Sequence, residues 1–153
     1  MISISDNISS ARKSIVNYLL IGINIAVFIW EVELDINGQL SDVINDGGIV
    51  LARISTVTTD AFTGGNPAAW IAWVIISSSL LSGMFLHSSF SHIVGNLLFL
   101  FVFGKNVENL LVNGKFLVFY LLCGVLTGIV QILAQPTLAM PLIGANSAIA
   151  GIL

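Results

Sequence analysis

The chain has 153 residues, 56% hydrophobic and 8% charged, with a formal net charge of −3. A soluble domain carries about 25% charged residues, so a mean hydropathy of +0.99 places most of this surface against lipid or other apolar helices. The acidic balance and the lack of a basic patch exclude nucleic acid as a partner.

Residues 1–14 form a polar tail. Residues 15–30 are an apolar run interrupted by Asn17, Gly22 and Asn24, with Trp30 placed as an interfacial aromatic. Extended slightly at each end, this run crosses a bilayer core, which needs roughly 20 residues. Arg12 and Lys13 precede it, as in a signal peptide. No small-residue cleavage site follows; Glu31-Val32-Glu33 does, so the run reads as an uncleaved first span.

Residues 31–69 turn polar: Glu31, Glu33, Asp35, Asp42, Asp46 and Asp60 face a single base, Arg53. The expectation is a long external loop with a short helix near residues 49–53, closed by the turn chemistry of Thr63-Gly64-Gly65-Asn66-Pro67. Residues 70–104 are apolar over 35 positions, too many for one span, and the cluster His87-Ser88-Ser89-Phe90-Ser91-His92 divides them. Residues 70–86 then form a membrane-embedded or interfacial segment, and residues 90–103 the core of a second span. A tight two-span hairpin is the competing reading.

Residues 116–134 are the cleanest span. Its Gly124 and Gly128 form a G-x-x-x-G that admits a close helix neighbour. Tyr120 and Gln131 suit packing or interfacial positions, and Cys123 has no cysteine with which to form an internal disulfide. Residues 141–153 begin a fourth span. Arg12, Lys13, Lys105 and Lys115 put the N-terminus and the 104–115 connection in the cytoplasm, with 31–69 and 135–140 outside.

Three groups carry chemistry. His92 and Asn96, four residues apart, share a helix face within about 40°. Neutral polar side chains in a membrane must find partners. Taken by themselves they read as helix–helix glue, at under ~1 kcal/mol per bond. His87 and His92 are five apart, which on a helix gives different faces and no metal site. Glu108 reads equally as a solvated carboxylate or as a tie between loops. Last, Pro141 and Gly144 allow a non-helical segment inside the membrane, after which a helix start near Ser147 supplies free backbone N–H groups.

In order along the chain, His87, His92 and Asn96 resemble the H-x-x-x-x-H-x-x-x-N second-span signature of the rhomboid intramembrane serine proteases. Gly104-Lys105-Asn106-Val107-Glu108 resembles that family's G-x-x-x-E segment. Gly144-Ala145-Asn146-Ser147-Ala148-Ile149-Ala150-Gly151 resembles its G-x-S-G-x-x-x-G nucleophile motif. Together these cover about residues 80–153.

The resemblance implies an all-α, polytopic helical membrane protein, rhomboid-like, with spans 1–3 plus the start of span 4. A cytoplasmic tail, 1–14, would precede a truncated rhomboid-like membrane domain, 15–153, in a bacterial inner membrane. It implies transmembrane protein substrates, no cofactor, and Ser/His chemistry with His92 and Asn96 as oxyanion donors and His87 in support. Three positions depart from the pattern. Asn146 stands where the family has its nucleophilic serine, Ser147 where it has the next glycine, and Val112 where glycine usually follows the glutamate by four. The family's base is a His on the sixth span, whereas both His of this chain belong to the second-span segment. The expectation is an N-terminal part of a rhomboid, inactive as given, with Ser147 the nearest hydroxyl. The alternative is a non-catalytic protein that binds transmembrane client helices.

Overall fold

The apolar run that begins at Ile15 folds as α1, Ile15–Ile36. In the computed structural model, residues 13–65, 67–139 and 141–152 are described, Ser147 by its backbone alone. The expected tail therefore lies outside the described residues except for Lys13 and Ser14, as do Asn66, Met140 and the Ser147 side chain.

Most of the expected external loop is helical. After α1 come α2 (Leu40–Gly47), the two-residue strand β1 (Ile49–Val50) and α3 (Leu51–Thr63). The short helix foreseen near residues 49–53 is thus a 13-residue helix beginning at Leu51. Its threonines conceal the periodicity: Thr56, Thr58, Thr59 and Thr63 each donate to the carbonyl four residues back, which quiets hydroxyls that otherwise compete with helix. Next come α4 (Pro67–Ser77) and α5 (Ser79–Ser82). This apolar pair over Pro67–Ser82 falls short of a span, against the two-span hairpin.

The second span is longer than residues 90–103. It comprises α6 (Phe90–Phe99), a π-helical turn (Leu100–Gly104) and α7 (Lys105–Leu111), a 22-residue apolar unit. The connection expected at 104–115 is therefore helical except for Val112, whose φ of +68° separates α7 from α8 (Asn113–Ala134). Strand β2 (Pro141–Leu142) and the short α9 (Asn146–Ala150) complete the described chain. Three helices, α1, the second span and α8, are long and apolar enough to cross a membrane.

Helix α8 illustrates how packing works in lipid. Phe116, Tyr120, Gly124 and Gly128, at four-residue spacing, are buried, while Val118, Leu122, Leu126 and Val130 face outward. Both faces are apolar because the surrounding solvent is apolar too, so size and not polarity separates inside from outside. The two glycines admit α5 and its C-terminal extension: a Cβ on Gly124 would strike Met84, and one on Gly128 would lie 2.6 Å from Leu80. The main core joins α1, the second span, α8 and α9 through Leu20, Met84, Leu100, Phe116, Tyr120, Ala148 and Ile149. A smaller cluster of Ile49, Leu51 and Ile54 packs on Leu80, Ile132 and Leu142. The antiparallel pairing of β1 with β2, Ile49 opposite Leu142, ties the segment after α2 to the segment before α9. The result is an all-α, multi-pass integral membrane protein apart from that one pair of short strands.

Candidate active site on the second span

Ser89 starts the second span. Its extended backbone (φ −165°, ψ 161°) and side-chain oxygen, which accepts from the His92 N–H at 3.3 Å, make it the N-cap of α6. That cap places His92 in the first turn and Asn96 one turn deeper, on the same face. The His92 Nδ1 lies 3.1 Å from the Ser88 hydroxyl. If the hydroxyl donates to Nδ1, the ring proton sits on Nε2. The Nε2 atom of His92 and the Nδ2 atom of Asn96 are both buried without a hydrogen-bond partner. Buried donors without acceptors are uncommon in native proteins and call for an explanation.

Both residues line a cavity of about 330 Å³, together with Ser91, Gly95, Asn146 and Ile149. The segment before α9 packs against the His92 ring. Gly144 N–H donates to Gly83 O at 2.7 Å, and Gly144 has φ +108° with its absent Cβ pointing at the His92 ring. Only glycine combines that backbone with so close an approach. Helix α9 then begins at Asn146 and packs against both α8 and α6. His92, Asn96 and Asn146 are thus brought to one cavity; the side chain of Ser147 lies outside the description.

His87 differs from the helical reading. It precedes α6, so a five-residue helical offset does not apply, and its ring lies 5.3 Å from the His92 ring, edge to face. It is 1% exposed, and burial first, then the neighbouring His92, push its imidazole down to about 4. At neutral pH it carries no charge. Among the described residues no three His, Cys, Asp or Glu side chains gather as a metal site would require.

Two carboxylates behave unlike loop residues. Glu108 is buried and caps α1 from 91 or more positions away: its two oxygens accept from the Val16 and Asn17 N–H groups at 2.9 and 2.8 Å. Of the two readings left open for it, the tie between segments is the one found. Glu31, expected in a solvated acidic stretch, is instead 1% exposed in α1, and its Oε1 accepts from the His87 N–H at 2.8 Å. Sequence reasoning missed it, although a signal existed. Asn17, Asn24 and Glu31 recur at intervals of seven, which keeps them within about 20° per step on one face. All three are buried.

The family model for the Rhomboid domain matches residues 67–153. No curated protein and no solved structure matches the chain. The matched segment contains the second span, the Gly144 turn and the start of α9, that is, every wall of the cavity, and covers more than half of the sequence: this chain belongs to the rhomboid family.

Proposed function

We propose that the cavity is an oxyanion site of the rhomboid type, serving in the complete form a serine endopeptidase that cleaves transmembrane substrates. The observation that supports this most is the pair of buried, unpartnered nitrogens, His92 Nε2 and Asn96 Nδ2, on one wall of the cavity. Neutral donors held away from water stabilise an oxyanion without reorganising, and among the described residues none accepts from either nitrogen. Peptide cleavage requires in addition a nucleophile and a base for its proton. The nucleophile's place at the start of α9 is taken by Asn146, which forms no acyl-enzyme by the usual route; Ser147 is the adjacent hydroxyl. Of the two His, His92 acts as donor, and His87, supporting it, is neutral and buried.

The purified chain in liposomes with a fluorogenic transmembrane substrate is expected to give no turnover above a His92→Ala, Ser147→Ala control. Turnover above that control would overturn the inactive reading.

Asn146 at the cavity favours a second reading, in which the same donors hold a client helix without cutting it. Gly95 lines the cavity with open space at its Cβ position. A photo-crosslinking residue there should capture a synthetic transmembrane helix with glycines near its outer end and spare an all-leucine one. Equal capture of both would count against a specific site. The charges support an N-terminus in the cytoplasm and residues 31–69 as the external part of the 15–153 membrane domain; a bacterial inner membrane as the location rests on the family resemblance alone.

A further inference from the structure

Glu31 lies in the apolar α1 between Trp30 and Val32, both 45% exposed or more, yet is itself 1% exposed. Its two oxygens do different things. Oε1 accepts from the His87 backbone N–H at 2.8 Å, a bond that bridges 56 positions of chain. Oε2 is 3.9 Å from His87 Nδ1 and has no hydrogen-bond partner. The His87 ring is held between Phe28, edge-on at 6.4 Å, and His92 at 5.3 Å. Keeping a carboxyl group from water is unfavourable unless its surroundings compensate. A hydrogen bond to one backbone N–H is served equally well by glutamine, so packing alone does not call for an acid here.

We propose that Glu31 is a positioning residue of the candidate active site: it fixes the backbone of His87 and the proton of its ring, and through that ring the placement of His92. The inference rests on the reading of His92 as an oxyanion donor. An ionised Oε2 facing Nδ1 at 3.9 Å favours the His87 tautomer with its proton on Nδ1, acting beside the Phe85 backbone carbonyl that the same ring faces. The neighbouring His92 takes the opposite form when the Ser88 hydroxyl, 3.1 Å from its Nδ1, donates to that atom. Two adjacent imidazoles of opposite tautomer, packed edge to face, present His92 Nε2–H to the cavity and give it no partner on the His87 side. Glu31 thus acts on the site without touching its cavity.

The test is nitrogen NMR of the chain with 15N-labelled histidine in lipid nanodiscs at neutral pH. Wild type is expected to show His87 as the Nδ1–H tautomer. Glu31→Gln keeps an acceptor for the His87 N–H but turns an amide NH2 toward Nδ1. It should reverse His87 to Nε2–H and shift the His92 ring resonances with helicity unchanged, and Glu31→Asp should restore the wild-type tautomer. An Nε2–H tautomer in wild type, or identical His87 and His92 resonances in wild type and Glu31→Gln, would overturn the proposal. If Glu31→Gln does not fold, the wild-type tautomer and its retention in Glu31→Asp decide the matter. None of these readouts uses turnover or capture, so this inference and the oxyanion reading fail separately.

Discussion

Gly144 shows how little freedom a single position near the site has. With φ at +108° and the His92 ring against its α-carbon, Gly144→Ala adds both backbone strain, about 1–3 kcal/mol, and a methyl where the imidazole lies. The variant is expected to unfold at lower denaturant and to shift the His92 resonances; an unchanged His92 spectrum would contradict the packing described. His87 makes a second prediction at this scale. Its folded value near 4 lies below the ordinary 6.5, so the unfolded chain binds the proton more readily. The stability it contributes is therefore complete above pH 6.5 and is lost as pH falls toward 4. Unfolding measured between pH 7 and 4 should show a loss of stability that is smaller in His87→Gln, where no proton can be taken up.

At the scale of elements, the join between the first two spans is built from polar groups inside an apolar protein. Glu108 caps α1, Ser14 Oγ donates to Lys105 O at 3.4 Å, and Asn17 Nδ2 donates to Leu100 O at 3.0 Å. The last bond serves the π-helical turn, whose widened ring disturbs the regular ladder of carbonyl partners. Glu108→Ala removes the acceptor of two N–H groups and is expected to cost about 2–6 kcal/mol, at about 1–3 for each unsatisfied donor, read as a lower midpoint in SDS titration. Val112 makes the reverse prediction. Its φ of +68° with ψ of 149° belongs to a region that is almost exclusively glycine's. Val112→Gly should raise stability by about 1 kcal/mol, strain relief less the extra freedom of the unfolded glycine. The family's usual glycine at this position was legible as a departure; that it coincides with a left-handed break between two helices was not.

For the whole molecule, the orientation expected from charge predicts which surfaces a membrane-impermeant thiol reagent reaches. In a Cys123→Ala background, Asp42→Cys on the exposed face of α2 should react from outside intact cells. Lys115→Cys, at the start of α8, should react only after permeabilisation; the opposite pattern would invert the topology. The three spans were readable because lipid imposes a local rule: each backbone polar group must be satisfied within its own helix, which takes a run of about 20 apolar residues. The His92/Asn96 pair was readable for a related reason, since a four-residue spacing fixes a shared face whatever surrounds it. The helices at 40–47 and 51–63 were hidden because threonine and aspartate carry weak local preference, and the burial of Leu51 and Ile54 of the second of them against Ile132 and Leu142 depends on residues far along the chain. Glu31 with His87, Glu108 with α1, and β1 with β2 are likewise partnerships across long stretches of sequence. Composition and periodicity specify what each segment must do in its solvent. Which buried carboxylate meets which N–H is specified by three-dimensional proximity, and no local pattern encodes it.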